Sequence, residues 1–246
     1  MTTIKCRDIA FTNIQAVLFD KNGTLEDSEV YLTTLGQQAA KLIDREIPGI
    51  GESLLMAWGI NNNGQYLDPA GLMAVASRRE TEIATAAYIA ATGKGWIESL
   101  NIACQLLAIA EQKFMPTPSP LFPGSRELLQ TLLAADLKLG ILSAATTEDV
   151  KNFVTTHNLC DYLQLQMGVD QGPSKPDPIL FLQACETLGV EPSATLMIGD
   201  SVADMQMARN AQAAGCIGIT WINQPENVQG ADVVIHQFSE IQVFND

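Results

Sequence analysis

Short apolar segments rich in branched side chains alternate with helical patterns along most of the chain. Each apolar segment has the length of a strand, and the stretches between them carry apolar side chains at helical spacing. Strands that are apolar on both faces and joined by helices form parallel sheets. The sequence therefore predicts an α/β fold with a doubly wound, Rossmann-like parallel sheet. The predicted strands are Ile14–Phe19, Leu137–Leu142, Leu163–Met167, Thr195–Ile198, Cys216–Thr220 and Asp232–Ile235. The predicted helices between them are Ser125–Ala135, Thr147–His157, Pro178–Leu188 and Val202–Ala214.

Residues 28–118 interrupt this alternation, because they contain helical patterns and no convincing buried strand. We predict an all-helical cap domain here, inserted between two parts of a core domain, residues 1–27 and 119–246. A proline-dense connector, MPTPSPLFPGS, closes the segment and is typical of a linker. Alternatively, these helices only cover one face of the sheet. The helical stretches are Val30–Leu42, Pro69–Thr92 and Gly95–Phe114, and residues 4–12 could add a strand at an edge of the main sheet.

Composition limits the partners more than the chemistry. Fourteen basic and 28 acidic residues give a formal charge of −14, which would repel a polyanion such as a nucleic acid. A small anionic substrate stays possible, because a bound divalent cation and a lysine can reverse the local sign. The longest apolar runs are too short to span a bilayer, and the polar start MTTIKCRD predicts no secretion signal. From the short apolar runs we expect no membrane partner. Five scattered cysteines without metal-ligand spacing are typical of reduced thiols, so we expect a cytoplasmic location.

Polar residues follow four of the predicted strands. Ligands of open α/β sheets bind beyond the carboxyl ends of the strands, where loops from different strands meet. We therefore expect a carboxylate, a hydroxyl, a lysine and a pair of carboxylates to lie close together at this edge of the sheet. They are Asp20, Ser143, Lys175, and Asp200 with Asp204.

These four motifs, in this order, resemble those of the haloacid dehalogenase superfamily, and the match spans nearly the whole chain. The most specific motif is DKNGTLEDS at residues 20–28, which is close to the family pattern DxDGTLxDS. Lys175-Pro176 and GDSVAD at residues 199–204 also fit, whereas Ser143 alone would be a weak signal. The helical insertion between the first and second motifs is similar to the cap of the phosphoglycolate phosphatase-like subgroup. The resemblance implies a Mg²⁺-dependent phosphatase that acts on a small phosphorylated metabolite through an aspartyl-phosphate.

The resemblance also implies roles for individual residues. Asp20 would be the nucleophile, and Asp20, the backbone carbonyl of Asn22 and Asp200 would bind Mg²⁺. Lys175 would neutralise charge between the nucleophile and the phosphoryl oxygens. Ser143, with Thr24 nearby, would donate hydrogen bonds to the phosphate or orient the lysine.

Asp204 would position Lys175 or support the metal from outside its ligand shell, and Ser201 would cap the next helix. Each of these assignments has a structural alternative. Asp200 or Asp204 could instead be the N-cap of that helix. Asp20 could cap a turn, Lys175 could be a solvated loop lysine, and Ser143 could bond only to the local backbone.

Asn22 departs from the family pattern, in which a carboxylate at this position protonates the leaving alcohol and later activates water. An amide can only donate or accept hydrogen bonds, and loss of a general acid/base commonly costs about 10² to 10⁴ in rate. Three explanations are open: an engineered Asp-to-Asn replacement, a natural enzyme of reduced or redirected activity, and a silenced binding or regulatory protein.

Two other reactions are alternatives. A dehalogenase tolerates a missing acid because halide departs without a proton, but the dehalogenases of this superfamily work without Mg²⁺, and Asp200 keeps the metal-binding carboxylate. A phosphomutase depends even more on the missing acid. Both are less favoured than a phosphatase or a silenced binding protein.

Arg78 and Arg79 stand out in a segment that is poor in positive charge. One of them could bind a substrate carboxylate or a second phosphate. Because Glu80 and Glu82 are adjacent in the sequence, a surface salt bridge is the favoured alternative.

Overall fold

The computed structural model describes residues 2–61, 66–113, 118–221 and 225–245. The chain divides into two compact units, one formed by residues 1–27 and 120–246 and the other by residues 28–119. The predicted end of the last cap helix at Phe114, and Met115 to Thr117 of the predicted connector, lie outside the described residues.

The first unit contains a six-stranded parallel sheet with the order β5-β4-β3-β6-β7-β8. In this register Phe19 of β3 lies between Ile141 of β4 and Ile198 of β6. The residues that follow these three strands therefore emerge side by side at one edge of the sheet. The strands are β3 (Ala16–Phe19), β4 (Lys138–Leu142), β5 (Leu165–Met167), β6 (Thr195–Gly199), β7 (Gly215–Ile219) and β8 (Val233–Ile235).

Helices cover both faces of this sheet. Val17 and Phe19 belong to a buried cluster with α6 and α7, while Ala16 and Leu18 belong to a second cluster with α8 and α9. Successive side chains of a strand point to opposite faces, so β3 is buried on both sides. The predicted doubly wound α/β fold is confirmed. The helices are α6 (Ser125–Ala134), α7 (Thr147–Thr156), α8 (Ile179–Leu188) and α9 (Val202–Asn210).

Residues 4–12 contain strands, as predicted, but these strands do not lie at an edge of the main sheet. Strands β1 (Thr2–Cys6) and β2 (Ile9–Ile14) form a hairpin, and β1 also pairs with β9 (Ile241–Asn245). These strands make a separate antiparallel sheet with the order β2-β1-β9. Because Ile14 ends β2, the strand predicted from Ile14 begins only at Ala16.

Five helices lie in the described part of the second unit. They are α1 (Glu29–Glu46), α2 (Gly51–Ala57), α3 (Leu72–Val75), α4 (Arg78–Ala90) and α5 (Trp96–Lys113). The single stretch predicted over Pro69–Thr92 is two helices, because Ser77 is extended and caps α4 in a capping box with Glu80. The fully buried Trp58 lies in the core of this unit with α1, α2, α4 and α5. None of the helices in the described residues combines the length and the apolar character that crossing a membrane requires.

Candidate active site

A buried ion-pair chain lies beyond the carboxyl ends of β3 and β6. Asp20 follows β3 directly, and its backbone N–H donates to the carbonyl of Ile198 in β6 at 2.9 Å. The Nζ of Lys175 donates to Asp20 Oδ1 and to Asp204 Oδ1, each at 2.6 Å. Three residues from different parts of the chain therefore meet, and the lysine is fixed between two carboxylates.

Asp200 joins this cluster from the end of β6. The hydroxyl of Thr24 donates to Asp200 Oδ1 at 2.9 Å. Gly23 lies against the same carboxylate with φ +76°, and a Cβ added at Gly23 would come within 2.1 Å of Asp200 Oδ2. Glycine is therefore required at this turn for two reasons, its positive φ and the closeness of the carboxylate.

The three carboxylates form a site with the chemistry of a cation site. Oxygen atoms of Asp20, Asp200 and Asp204 all lie within 4.8 Å of one another, and one lysine compensates only part of their charge. Burial, together with the charges of Asp20 and Asp204, raises the pKa of Asp200 well above its usual 3.8. Oxygen donors in this number suit a hard divalent cation such as Mg²⁺. The donor set therefore fits the metal that the sequence predicts.

Asn22 supports the same interpretation. Its side-chain Oδ1 is buried and has no hydrogen-bond partner among the residues that the structure describes. A buried polar group without a partner is costly, so this atom is arranged for a group that is not part of the protein. The N–H of Gly23 donates to the carbonyl of Glu26 at 2.9 Å. Because the N–H and C=O of a trans peptide point in opposite directions, the carbonyl of Asn22 is directed away from Glu26.

The charge on Lys175 is stabilised by its neighbours. Burial alone would lower the pKa of Lys175, but the charges of Asp20 and Asp204 outweigh this effect and raise the pKa above the usual 10.5. The lysine is therefore a fixed cation beside the carboxylate of Asp20. Such a group can lower the repulsion between a carboxylate and an approaching phosphoryl anion.

Asp204 has a second role at the start of α9. Ser201 is the N-cap of this helix, and its hydroxyl forms a capping box with Asp204. Asp204 Oδ2 accepts from the Ser201 hydroxyl at 2.6 Å, while Oδ1 binds Lys175. The alternative in which Asp200 or Asp204 is the N-cap is wrong, because the chain becomes extended at Ser201. Capping thus fixes the carboxylate that orients the lysine.

Ser143 directly follows β4 and is buried. Its backbone N–H donates to the carbonyl of Met167 at 3.0 Å. Its hydroxyl accepts from the backbone N–H of Ala145 at 3.2 Å, which is the local role of the structural alternative. The hydroxyl proton stays available for a further acceptor.

Arg78 and Arg79 lie at the start of α4, in the helical unit. Arg78 pairs with Glu82 and Glu111, and Arg79 pairs with Glu82. Both side chains therefore form ion pairs, as the favoured alternative expects, but only Arg79 lies on the surface of this unit, because Arg78 is partly buried. Their expected part in substrate binding stays a prediction.

Two features of the first motif escaped the sequence analysis. Lys21 is buried, donates to Glu26 Oε2 at 2.7 Å, and lies 5.5 Å from the centre of the Phe153 ring. Trp221, just beyond β7, donates from its indole Nε1 to the carbonyl of Gly23 at 2.9 Å. The only available signal for Trp221 was its position after a strand.

Aromatic packing holds this tryptophan in place. Its ring stacks on Phe122, with centroids 4.2 Å apart and an interplanar angle of 9°. Phe238 contacts it edge-on at 5.2 Å and 82°. The indole donor is therefore fixed beside the turn that contacts Asp200.

Comparison with known proteins agrees with this geometry. The model of the haloacid dehalogenase-like hydrolase family matches residues 14–212. Phosphoglycolate phosphatase of Escherichia coli K12 is 29% identical over 223 residues, which cover 86% of this chain and 83% of that protein. A crystal structure described as a predicted phosphoglycolate phosphatase from Haemophilus somnus 129pt has a TM-score of 0.67 and 20% identity, and covers 93% of this chain and 96% of its own. A mutant of CbbY from Rhodobacter sphaeroides, in complex with xylulose-(1,5)-bisphosphate, has a TM-score of 0.56 and 19% identity, with 92% and 96% covered.

Proposed function

Because the chain belongs to the haloacid dehalogenase-like hydrolase family, we propose that it transfers the phosphoryl group of a small phosphorylated metabolite to Asp20 and then to water. The observation that supports this most strongly is the contact of Lys175 with both Asp20 and Asp204 at 2.6 Å. A carboxylate nucleophile needs a neighbouring cation to approach a phosphoryl anion. Lys175 has this position.

The other residues of the site have supporting roles. Asp20, the backbone carbonyl of Asn22 and Asp200 would hold Mg²⁺, which supplies charge neutralisation and orients the phosphate. Thr24 keeps the carboxylate of Asp200 in place through its hydroxyl. Ser143 can donate its free hydroxyl proton to a phosphoryl oxygen, since its oxygen already accepts from Ala145.

The substrate class follows from the relatives and from the charge of the site. Phosphoglycolate, named for the E. coli relative, and xylulose bisphosphate, bound in the CbbY complex, are both small phosphorylated metabolites. One lysine among three carboxylates gives no positive surface for a large polyanion. We therefore propose a phosphate monoester of a small metabolite.

Asn22 would make this enzyme slow. At the position where the family has a proton-transferring carboxylate, the amide can neither protonate a leaving alcohol nor activate water. Because the amide of Asn22 cannot transfer a proton, a second candidate function is that the protein binds a phosphorylated metabolite without turning it over.

Restoring the carboxylate separates the two functions. Phosphate release from phosphoglycolate, sugar phosphates and an aryl phosphate is measured with and without Mg²⁺, for the wild type and for Asn22→Asp. If the protein is an impaired phosphatase, Asn22→Asp raises the Mg²⁺-dependent rate by about 10² or more. A variant as inert as the wild type on every compound supports the binding function. Asn101→Asp, which adds the same charge at an exposed position of α5, is the matched control and leaves the rate unchanged.

A further inference from the structure

Asn22 stands where the family has a proton-transferring carboxylate, and this difference restricts the kind of phosphoryl donor that the site can use. An alcohol leaves phosphorus readily only if its oxygen is protonated in the same step. Among the described groups of the sheet-containing unit around Asp20, Lys175 is committed to two carboxylates at 2.6 Å. Asp200 would be held as an anion by Mg²⁺, and the Asn22 amide has no proton that it can release. Phosphoryl transfer to Asp20 is therefore slow when the leaving group of the donor must be protonated.

Other donors do not need one. In an acyl phosphate, the group that leaves phosphorus is a carboxylate, which is stable as an anion, and in an activated aryl phosphate it is a phenolate. We infer that Asp20 is phosphorylated fastest by donors whose leaving group departs without a proton, acyl phosphates above all, and that the phosphoryl group then leaves Asp20 only slowly. This inference rests on the proposed function, since it takes Asp20 as the nucleophile and residue 22 as the position at which the family has its proton-transferring carboxylate.

The first step is balanced without acid catalysis. A carboxylate oxygen of Asp20 attacks phosphorus and forms a new P–O bond. The bond from phosphorus to the acyl oxygen breaks, and its electron pair leaves with the carboxylate product. One anion is consumed and one is released, and no proton moves.

The second step lacks a base among the described residues of the sheet-containing unit. Water that attacks the phosphoryl group must give up a proton while Asp20 leaves as a carboxylate. Asn22 cannot accept this proton, because an amide oxygen is a hydrogen-bond acceptor and not a base at neutral pH. The buried Oδ1 can therefore hold a water molecule but not activate it.

The neighbouring carboxylates do not replace the missing base. Asp204 uses one oxygen for Lys175 and the other for the Ser201 hydroxyl. Asp200 accepts from Thr24 and lies against Gly23. Both are fixed by contacts within the protein, so hydrolysis of the phosphorylated Asp20 is the slow step.

The test compares donors that differ in their leaving group. Wild-type protein with Mg²⁺ is mixed with acetyl phosphate, with a series of substituted phenyl phosphates of increasing leaving-group pKa, and with an alkyl phosphate. Intact-mass spectrometry follows the added phosphoryl group, and hydroxylamine, which cleaves acyl phosphates, identifies it as a carboxylate adduct. We expect one phosphoryl group per chain from acetyl phosphate and at least about 10² slower labelling from the alkyl phosphate.

Two variants define the controls. Asn22→Asp is expected to show a shallower dependence of rate on leaving-group pKa and to lose its label by hydrolysis, because a carboxylate supplies both missing proton transfers. Asn101→Asp is expected to behave like the wild type. Peptide mapping is expected to place the label on Asp20, and Asp20→Asn is expected to take up none.

The outcomes separate this inference from the proposed function. If Asn22→Asp hydrolyses the alkyl phosphate but acetyl phosphate leaves the wild type unlabelled, the inference is overturned and the proposed function stands. The same holds if the wild type and Asn22→Asp depend equally on leaving-group pKa, or if the wild-type label turns over as fast as that of Asn22→Asp. If neither protein reacts with any donor, both the inference and the proposed function fail.

Discussion

Lys21 and Lys175 are both buried lysines in the sheet-containing unit, and each forms short ion pairs, yet their surroundings differ. Lys21 has one carboxylate, Glu26, at 2.7 Å, and the ring of Phe153 at 5.5 Å. Lys175 has two carboxylates at 2.6 Å, those of Asp20 and Asp204, and an oxygen of Asp200 lies within 4.8 Å of both of these carboxylates. Lys21 therefore belongs to a balanced pair, whereas Lys175 belongs to a group with an excess of negative charge.

This difference separates a structural ion pair from a site that needs a ligand. Burying charges is costly, and a pair that satisfies itself recovers much of that cost. Three carboxylates with one lysine do not satisfy themselves. Burial first, and then the charges of Asp20 and Asp204, raise the pKa of Asp200, so the ionised site is unfavourable without a further cation. Strained or unsatisfied groups of this kind concentrate at functional sites.

The largest expected effect comes from breaking the balanced pair. Lys21→Met removes the cation and leaves Glu26 buried without a partner, which should lower the free energy of unfolding by about 3–5 kcal/mol. Chemical denaturation measures the loss. Phosphorylation of Asp20 per folded molecule should not change, because the Lys21 side chain binds Glu26, and the backbone N–H of Lys21, which contacts Asp20, is kept in the variant.

The double variant Lys21→Met/Glu26→Leu tests whether the pair is only structural. Replacing a buried ion pair with apolar side chains of similar size is often neutral or stabilising, so most of the lost stability should return. A double variant that regains stability but loses phosphorylation of Asp20 would show that the pair acts on the site as well, and the comparison with Lys175 would break down.

A smaller effect of opposite sign is expected at the unbalanced site. Asp200→Asn keeps an oxygen for the Thr24 hydroxyl but removes one negative charge. The metal-free variant should therefore be more stable than the metal-free wild type by about 1–2 kcal/mol at neutral pH, as is usual when a strained functional group is relieved. Thermal unfolding in EDTA measures this gain, and the stabilisation of the wild type by added Mg²⁺ should be lost in the variant.

The pH dependence of this gain follows from the raised pKa. Near pH 3, Asp200 is protonated in the folded and unfolded chains alike, so the two proteins should be equally stable. As the pH rises above the usual value of 3.8, the unfolded chain loses the proton first, and the folded wild type becomes progressively less stable relative to Asp200→Asn. The difference should be complete once the pH exceeds the raised pKa. A difference that is constant from pH 3 to neutrality would exclude charge repulsion as its cause.

The sequence predicted the motif residues better than it predicted the contacts that fix them. Asp20 and Asp200 could be predicted to lie together because both follow strands, and parallel strands end at the same edge of a sheet. The capping box of Ser77 also had a signal in the sequence, a serine followed three residues later by Glu80, although the helix was predicted to run through it.

The missed contacts had no local signal. Strand β9 pairs with β1 from the opposite end of the chain, so neither sequence alone indicates its partner. Nothing in the sequence around Lys21 indicates that Glu26 and Phe153 surround its side chain. Such pairings depend on the turn geometry and packing of the folded chain, which periodicity does not encode.

The smallest expected effect concerns Trp221, which contacts the turn of residues 21–26, between the ion pair of Lys21 and the carboxylate of Asp200. Its indole donates to Gly23 at 2.9 Å, between Lys21 and Glu26 in the sequence, and Gly23 lies against Asp200. Trp221→Phe keeps an aromatic ring to stack on Phe122 but removes the donor. The loss of one hydrogen bond, about 1 kcal/mol, should weaken Mg²⁺ binding roughly fivefold, because the carbonyl of Gly23 can then turn away from its present direction.

Isothermal titration calorimetry with Mg²⁺ measures this change, and Trp96→Phe, at a half-exposed position of α5, is the matched control. If Trp221→Phe lowers the melting temperature but leaves the Mg²⁺ affinity unchanged, the tryptophan belongs with the structural pair of Lys21 and Glu26 and not with the carboxylates around Lys175.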